Sequence, residues 1–173
     1  NQILHKRFQV IRLLGHGSMG SVYYAYDPVL ARYVALKQMQ PGPVVDEQAN
    51  EKTRQQFLRE GQSLAALHHP NLPRVTDYFI DGGLHYLVMD YIDGQTLETI
   101  LEASGSQSEN QVLDWADQIL AAVDYIHQHH LIHRDIKPAN IRCTPEGHIF
   151  LVDFGLVKTY DPDNPYTQTI VHG

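Results

Sequence analysis

Residues 8–39 carry the pattern that most restricts the fold: FQVIRLLG alternates apolar and polar positions, GHGSMG interrupts, SVYYAYD resumes, and RYVALKQM follows the turn-like DPVLA. The pattern reads as a glycine-rich hairpin followed by a third strand. Successive side chains of a strand point to opposite faces, so Tyr33, Ala35 and Lys37 share one face of that third strand. Lys37 therefore points where Ala35 points.

After the loop PGPVVDEQAN, the stretch EKTRQQFLREGQSLAAL has helical spacing, with Phe57, Glu60, Leu64 and Leu67 on one face. A carboxylate inside that apolar stripe would cost several kcal/mol if buried alone. Lys37, itself in an apolar strand, is the cation expected to pair with it; the alternative is a Glu60 at the edge of the stripe, reaching water. RVTDYFI and LHYLVMDYI then read as two strands joined by a DGG turn, completing a small lobe of five strands and one helix. DGQTLETILEASGS carries a short helix into a polar loop. Ser108 and Gln111 fit a capping box opening a long helix, with Val112, Ala116, Ile119, Val123 and Ile126 on one face and Leu113, Trp115 and Leu120 widening it. There is no internal repeat and no low-complexity tract.

Next comes LIHRDIKPANI, residues 131–141, which sets an Asp, a Lys and an Asn close together between two apolar strips. Turn formers alone could account for the composition. The hairpin that follows, NIRC and HIFLVD around TPEG, ends at DFGL and adds a further carboxylate, Asp153. Taken together these residues suit phosphoryl chemistry. A glycine-rich turn with Gly15, Gly17 and Gly20 lets backbone amides approach phosphates closely. Lys37 supplies a fixed positive charge for phosphate oxygens, held in place by Glu60. Asn140 and Asp153 offer the hard oxygen ligands that a triphosphate-bound divalent metal takes from a protein. Asp135 is then available to orient an attacking hydroxyl and accept its proton, and Lys137 to neutralise charge on the phosphoryl group in flight.

GHGSMGSV, VALK, Glu60 in its helix, HRDIKPAN and DFG occur in the order and rough spacing of the protein kinase catalytic domain, which the chain resembles essentially throughout. The resemblance implies an α+β, two-lobed fold. Its N-lobe, residues 1–91, would be a five-stranded antiparallel sheet with one long helix; residues 92–173 would be a partial, mainly helical C-lobe. It implies ATP and magnesium, with manganese as a substitute, and a protein substrate. Asp135 resembles the catalytic base, Lys137 the companion lysine of Ser/Thr kinases, and Asn140 and Asp153 the metal ligands. Met89 resembles the gatekeeper, with the backbone of Asp90 and Ile92 facing adenine under a roof of Val22 and Ala35. Leu64, Val75, His133 and Phe154 resemble the stacked apolar spine of the active form. Arg134 before the catalytic Asp implies activation by a phosphate on the chain's own activation segment, where Thr167 and Thr169 are the acceptors expected. YTQTIVHG is similar to the bacterial, eukaryotic-like (Hanks-type) Ser/Thr kinases.

The chain departs from the family pattern in three places. Met19 stands at the glycine-loop tip where many relatives have an aromatic. Arg142 stands where an apolar floor under adenine is usual, and its stem would cover the ring while the guanidinium reaches solvent. The sequence ends at Gly173 without the APE element, which leaves the apolar face of the long helix ready for self-association. The different-class alternative is an inactive truncated or pseudokinase-like module that binds ATP or a partner; a small-molecule phosphotransferase of related fold is disfavoured by Lys137 and the intact DFG.

A net charge of −7, from 20 acidic and 13 basic residues, argues against nucleic acid as a partner. No apolar run has membrane-spanning length, so no membrane contact is expected within this chain, and with a single cysteine, Cys143, the expected location is cytoplasmic, any membrane anchor lying outside the sequence. The run HQHHLIH could suggest a metal cluster by spacing, but a histidine-rich helix end is the simpler reading, as is a small buried residue for Cys143.

Overall fold

The glycine-rich hairpin is present in the computed structural model, which describes residues 2–17, 20–39, 58, 61–153 and 158–159. Strand β2 (Phe8–Gly17) pairs antiparallel with β3 (Gly20–Asp27) down to Gly17 opposite Gly20. Gly20 has φ 134°, a conformation that L side chains rarely adopt. Strand β4 (Arg32–Met39) follows β3, and β5 (Val75–Asp81) and β6 (Leu84–Asp90) form the second hairpin. Its turn, Gly82–Gly83, has both φ values positive, 57° and 78°, as a two-residue type I′ connection requires. Besides the five strands expected, a two-residue β1 (Ile3–Leu4) pairs with β2, giving the sheet order β1-β2-β3-β4-β6-β5.

By Cα packing the chain forms two units, Asn1–His68 with Pro73–Asp93, and His69–Leu72 with Gly94–Gly173. In the first, one face of the sheet builds an apolar core from Leu4, Phe8, Ala25, Val34, Leu36, Phe79, Tyr86 and Val88. The Phe79 ring stacks on Phe8 at 5.2 Å and on Tyr86 at 4.9 Å between centroids. Val34 and Leu36 enter this core, so Ala35 and Lys37 must face the other way. Residues 61–65 are helical, and Leu64 and Leu67 are buried as the apolar stripe requires; Phe57 and Glu60 lie outside the described residues.

One charged cluster secures the edge of this sheet. Arg7 grips Asp27 with two hydrogen bonds, Nε to Oδ1 at 2.9 Å and Nη2 to Oδ2 at 2.6 Å, and reaches Asp77 Oδ2 with Nη1 at 3.0 Å. Asp27 is only 1% exposed and also accepts from the Val29 amide, closing the turn after β3. The Arg7 hydrogen bonds hold the Asp27 carboxyl below the usual carboxylate range, against the opposing effect of burial.

The second unit is organised around the long helix Glu109–Gln128, which Ser108 caps by accepting from the Gln111 amide at 3.3 Å. A shorter helix, Leu97–Ser104, is capped in the same way by Thr96. The covered stripe of the long helix is Trp115, Ala122 and Ile126; Val112, expected on that stripe, is 48% exposed, as are Leu113 at 55% and Leu120 at 63%. Gln118 is also engaged on the covered side. Its Oε1 accepts from Asn71 Nδ2 at 3.0 Å and from the Ile149 amide at 2.9 Å, while its Nε2 donates to Gly147 O at 3.3 Å. A half-buried polar residue therefore borders the covered stripe, beyond the reach of an apolar count.

Asn71 completes the fixture, its Nδ2 donating also to Ile149 O at 2.8 Å and its carbonyl accepting from the Leu151 amide at 2.9 Å. This network seats the hairpin of β9 (Ile141–Cys143) and β10 (Ile149–Leu151), to which the short β7 (Gln95–Thr96) adds through β9. Gly94, leading into β7, has φ 150°, and a Cβ there would lie 2.2 Å from the Cys143 carbonyl oxygen, so no other residue fits. Strand β8 (Leu131–Ile132) pairs with β11 (Lys158–Thr159). Among the described residues no helix is long and apolar enough to cross a membrane.

Arg7→Ala strands a buried carboxylate and should cost about 3 kcal/mol in urea unfolding. Because the folded-state pKa of Asp27 is depressed, its contribution is present above the unfolded value, near 4, and is lost as pH falls through the lower folded value. The wild-type urea midpoint should therefore hold above about pH 5 and drop as pH falls below it, and the Arg7→Ala profile should be flatter.

Candidate active site

The short strand β8 ends at Ile132, and the chain between it and β9 folds back on itself through a 3-10 turn at Pro138–Asn140. Proline presets the first turn position, and the Asn140 amide closes the turn on Lys137 O at 2.9 Å. Asn140 is buried, and its Nδ2 donates both to Asp135 O at 2.9 Å and to Asp135 Oδ2 at 2.8 Å. With both amide hydrogens directed at Asp135, Oδ1 of Asn140 is the oxygen left to act as a ligand.

His133 provides the second support. It is buried, its Nε2 lies 3.1 Å from the Val152 carbonyl, and its Nδ1 lies 3.3 Å from the Asp135 amide. A carbonyl can only accept and an amide N–H can only donate, so this is a neutral imidazole with its proton on Nε2. The Val152 amide in turn donates to Asn140 O at 2.9 Å. Both backbone groups of Val152 are thus bound to the loop that carries Asp135, and the next residue is Asp153. Asp153 and Arg134 both adopt left-handed backbone, with φ 65° and 67°, a conformation that costs a non-glycine residue roughly 1–3 kcal/mol and persists only where the surroundings impose it.

Asp135 also meets Lys137 Nζ at 2.9 Å through Oδ2. The Lys137 hydrogen bond, with the Asn140 bond second among the favourable contacts, keeps the Asp135 carboxyl below the ordinary range. It is therefore fully ionised near neutral pH and a weak base. Such a group orients a hydroxyl well and takes its proton late, as suits phosphoryl transfer through a loose transition state.

In the first unit the strand register aligns the other expected residues. Gly15 lies opposite Val22, Val22 opposite Lys37, and Lys37 opposite Leu87, which sets one row across four strands. The next row on the same face is Tyr24, Ala35, Met89 and Val75. Lys37 is 8% exposed, a burial at which an ammonium needs a partner. A Cβ built on Gly15 would meet no protein atom within 4 Å, so glycine there leaves open space over the row and relieves no contact. The Asp90 amide donates to Arg74 O at 3.0 Å, which anchors the end of β6.

The protein kinase domain model matches residues 8–172. The chain belongs to the protein kinase domain family. This kinase domain is 36% identical over 166 residues to serine/threonine-protein kinase PrkC of Bacillus subtilis, covering 96% of the chain and 24% of that relative. It is 38% identical over 159 residues to serine/threonine-protein kinase B of Synechocystis sp., covering 90% of the chain and 28% of the relative. It is 36% identical over 171 residues to serine/threonine-protein kinase PknA of Mycobacterium tuberculosis, covering 96% and 38% respectively. The chain thus spans about a quarter to two-fifths of the length of these relatives.

Arg142 differs from its expected pose. In β9 it is half-buried and donates through Nη2 to the Gly94 carbonyl, and its Nε is buried without a hydrogen-bond partner, so the guanidinium is turned into protein instead of reaching solvent. The strand pairing of Arg142 with Thr96 brings it beside the Gly94 turn. Cys143 is half-buried and burial raises its thiol pKa, which disfavours a nucleophilic role. The histidine-rich helix end is engaged locally, His129 Nδ1 lying 2.8 Å from the Tyr125 carbonyl. Gly17 and Gly20 close the hairpin, and Ile92 follows β6 half-buried. Met19, Glu60, Phe154, Thr167 and Thr169 lie outside the described residues. Sequence reasoning missed Val152 and Asn71, which act through backbone groups or a buried amide and carry no chemical signature.

Lys137→Ala removes the largest cause of the Asp135 depression, so the acid limb of a pH–activity profile should move to higher pH. An unmoved limb would mean that the contact seen here does not persist in the reacting enzyme.

Proposed function

We propose that this chain carries the nucleotide-binding and transfer machinery of a Ser/Thr protein kinase, moving the γ-phosphoryl group of ATP to a hydroxyl of a protein substrate. The observation that carries this reading is the loop in which Asn140 and Lys137 converge on Asp135, while Val152, next to Asp153, is bonded to Asn140 and His133 of that loop. Asp135 orients the acceptor hydroxyl and accepts its proton. Lys137, half exposed beside it, is free enough to follow negative charge onto the phosphoryl oxygens.

The donor chemistry fits a magnesium ion: Asn140 Oδ1 and the Asp153 carboxylate are hard oxygens, and manganese would accept the same pair. When bound, the metal would neutralise phosphate charge. Lys37, Gly15, Gly17 and Gly20 are the phosphate-directed groups of the first unit. Met89, Asp90, Ile92, Val22 and Ala35 are its purine-directed groups. Arg134, exposed beside Asp135, is positioned in sequence to pair with phosphorylated Thr167 or Thr169, whose charge would order the activation segment. The names of the relatives support serine and threonine as acceptors.

Intact-mass measurement after incubation with magnesium and ATP tests this directly. Stepwise phosphoryl additions on Ser or Thr are expected, slowed about 10²- to 10⁴-fold in Asp135→Asn. ATP binding without any transfer, to itself or to an added protein acceptor, would favour a binding module over a kinase.

A further inference from the structure

Tyr91 stands between Asp90 and Ile92, at the point where the first unit ends its sheet and the chain leaves toward Gly94. Its ring packs against Tyr24 of β3 at 4.4 Å between centroids, tilted by 52°. Tyr24 is held from two further sides. It stacks on Tyr33 of β4 at 5.1 Å, and the Arg12 guanidinium lies over it at 5.3 Å. Tyr33 is in turn against Tyr26 at 5.3 Å. Register places Tyr24 opposite Ala35, so this cluster continues the face that carries Val22, Ala35 and Lys37.

Asp90 is fixed independently. Its amide is bonded to Arg74 O, and its Oδ1 receives Arg32 Nη1 at 3.2 Å, while Arg32 Nη2 donates to Thr76 at 2.9 Å. The Arg32–Asp90 contact is long and each side chain is about a third exposed, so solvent screens it. The aromatic contact is not screened in this way and is the stronger brace.

We propose that Tyr24 is a positioning residue for purine selection: by bracing Tyr91 it fixes the Asp90 carbonyl and the Ile92 amide in the orientation that reads an adenine edge. This rests on the nucleotide reading given above. A carbonyl and an N–H presented side by side match the adenine amine donor and ring-nitrogen acceptor. Guanine presents the reverse, an acceptor and a donor, and is rejected because both pairs would be left unmatched. Such discrimination needs backbone groups held before the ligand arrives, and two successive residues anchored to the sheet supply that.

The test is calorimetric titration of the protein with ATP and with GTP, in wild type, Tyr24→Phe, Tyr24→Ala and Tyr91→Ala. Wild type and Tyr24→Phe should prefer ATP equally. The two alanine variants should lose about tenfold in ATP affinity, the order that an aromatic contact supports, with GTP affinity unchanged, so that selectivity narrows. Tyr91→Ala lies outside the strands and keeps the test decisive if Tyr24→Ala does not fold. Alanine variants that keep the full ATP preference, or lose both nucleotides in parallel, would overturn the proposal. A wild type that binds neither nucleotide would overturn the nucleotide reading itself, and the brace with it.

Discussion

The two backbone bonds of Val152 hold together the segment that carries the acidic residues of the second unit. The Val152 carbonyl receives His133 Nε2 and the Val152 amide donates to Asn140 O, so the strand end that delivers Asp153 is bound to the loop that delivers Asp135. With these bonds, two left-handed residues, Arg134 and Asp153, are held in place by the hydrogen bonds around them. Local strain is thereby converted into fixed side-chain direction, which positioned catalysis requires.

The first unit solves a different problem with sheet register. Its core face is filled by Val34, Leu36, Phe79 and Val88, which fixes the opposite face of β4 as the one carrying Ala35 and Lys37. A slip of one residue would turn Lys37 into the core and Leu36 out of it, so the apolar core specifies which face carries Ala35 and Lys37. The buried Arg7–Asp27 cluster secures the turn between β3 and β4 that sets this register.

Alternation and glycine placement made the sheet, both hairpins and the capping Ser108 legible, because those signals are local. The family was legible because Gly15, Lys37, Asp135, Asn140 and Asp153 keep their order along the chain. The turned-in face of the long helix was legible in part: Trp115 and Ile126 lie on it as expected, while Val112, Leu113 and Leu120 do not. Asn71 is buried and Gln118 half-buried, each hydrogen-bonded to the β10 segment, and an apolar count reads them as solvent-facing. Arg142 was misjudged for a related reason: a long cation is assumed to seek water, yet the carbonyl exposed by the obligatory turn at Gly94 offers it a closer partner. Strand β1 was too short to carry a periodic signal at all.

The most direct test of the account is the metal dependence of ATP binding, which reads the Asp153 and Asn140 assignment without relying on turnover. Calorimetric titration of wild type with ATP, with and without magnesium, should show binding tightened by the metal. In Asp153→Asn the metal-free affinity should match wild type and the tightening should be absent. Full magnesium enhancement in that variant would contradict the claim that Val152 holds Asp153 in place as a metal ligand.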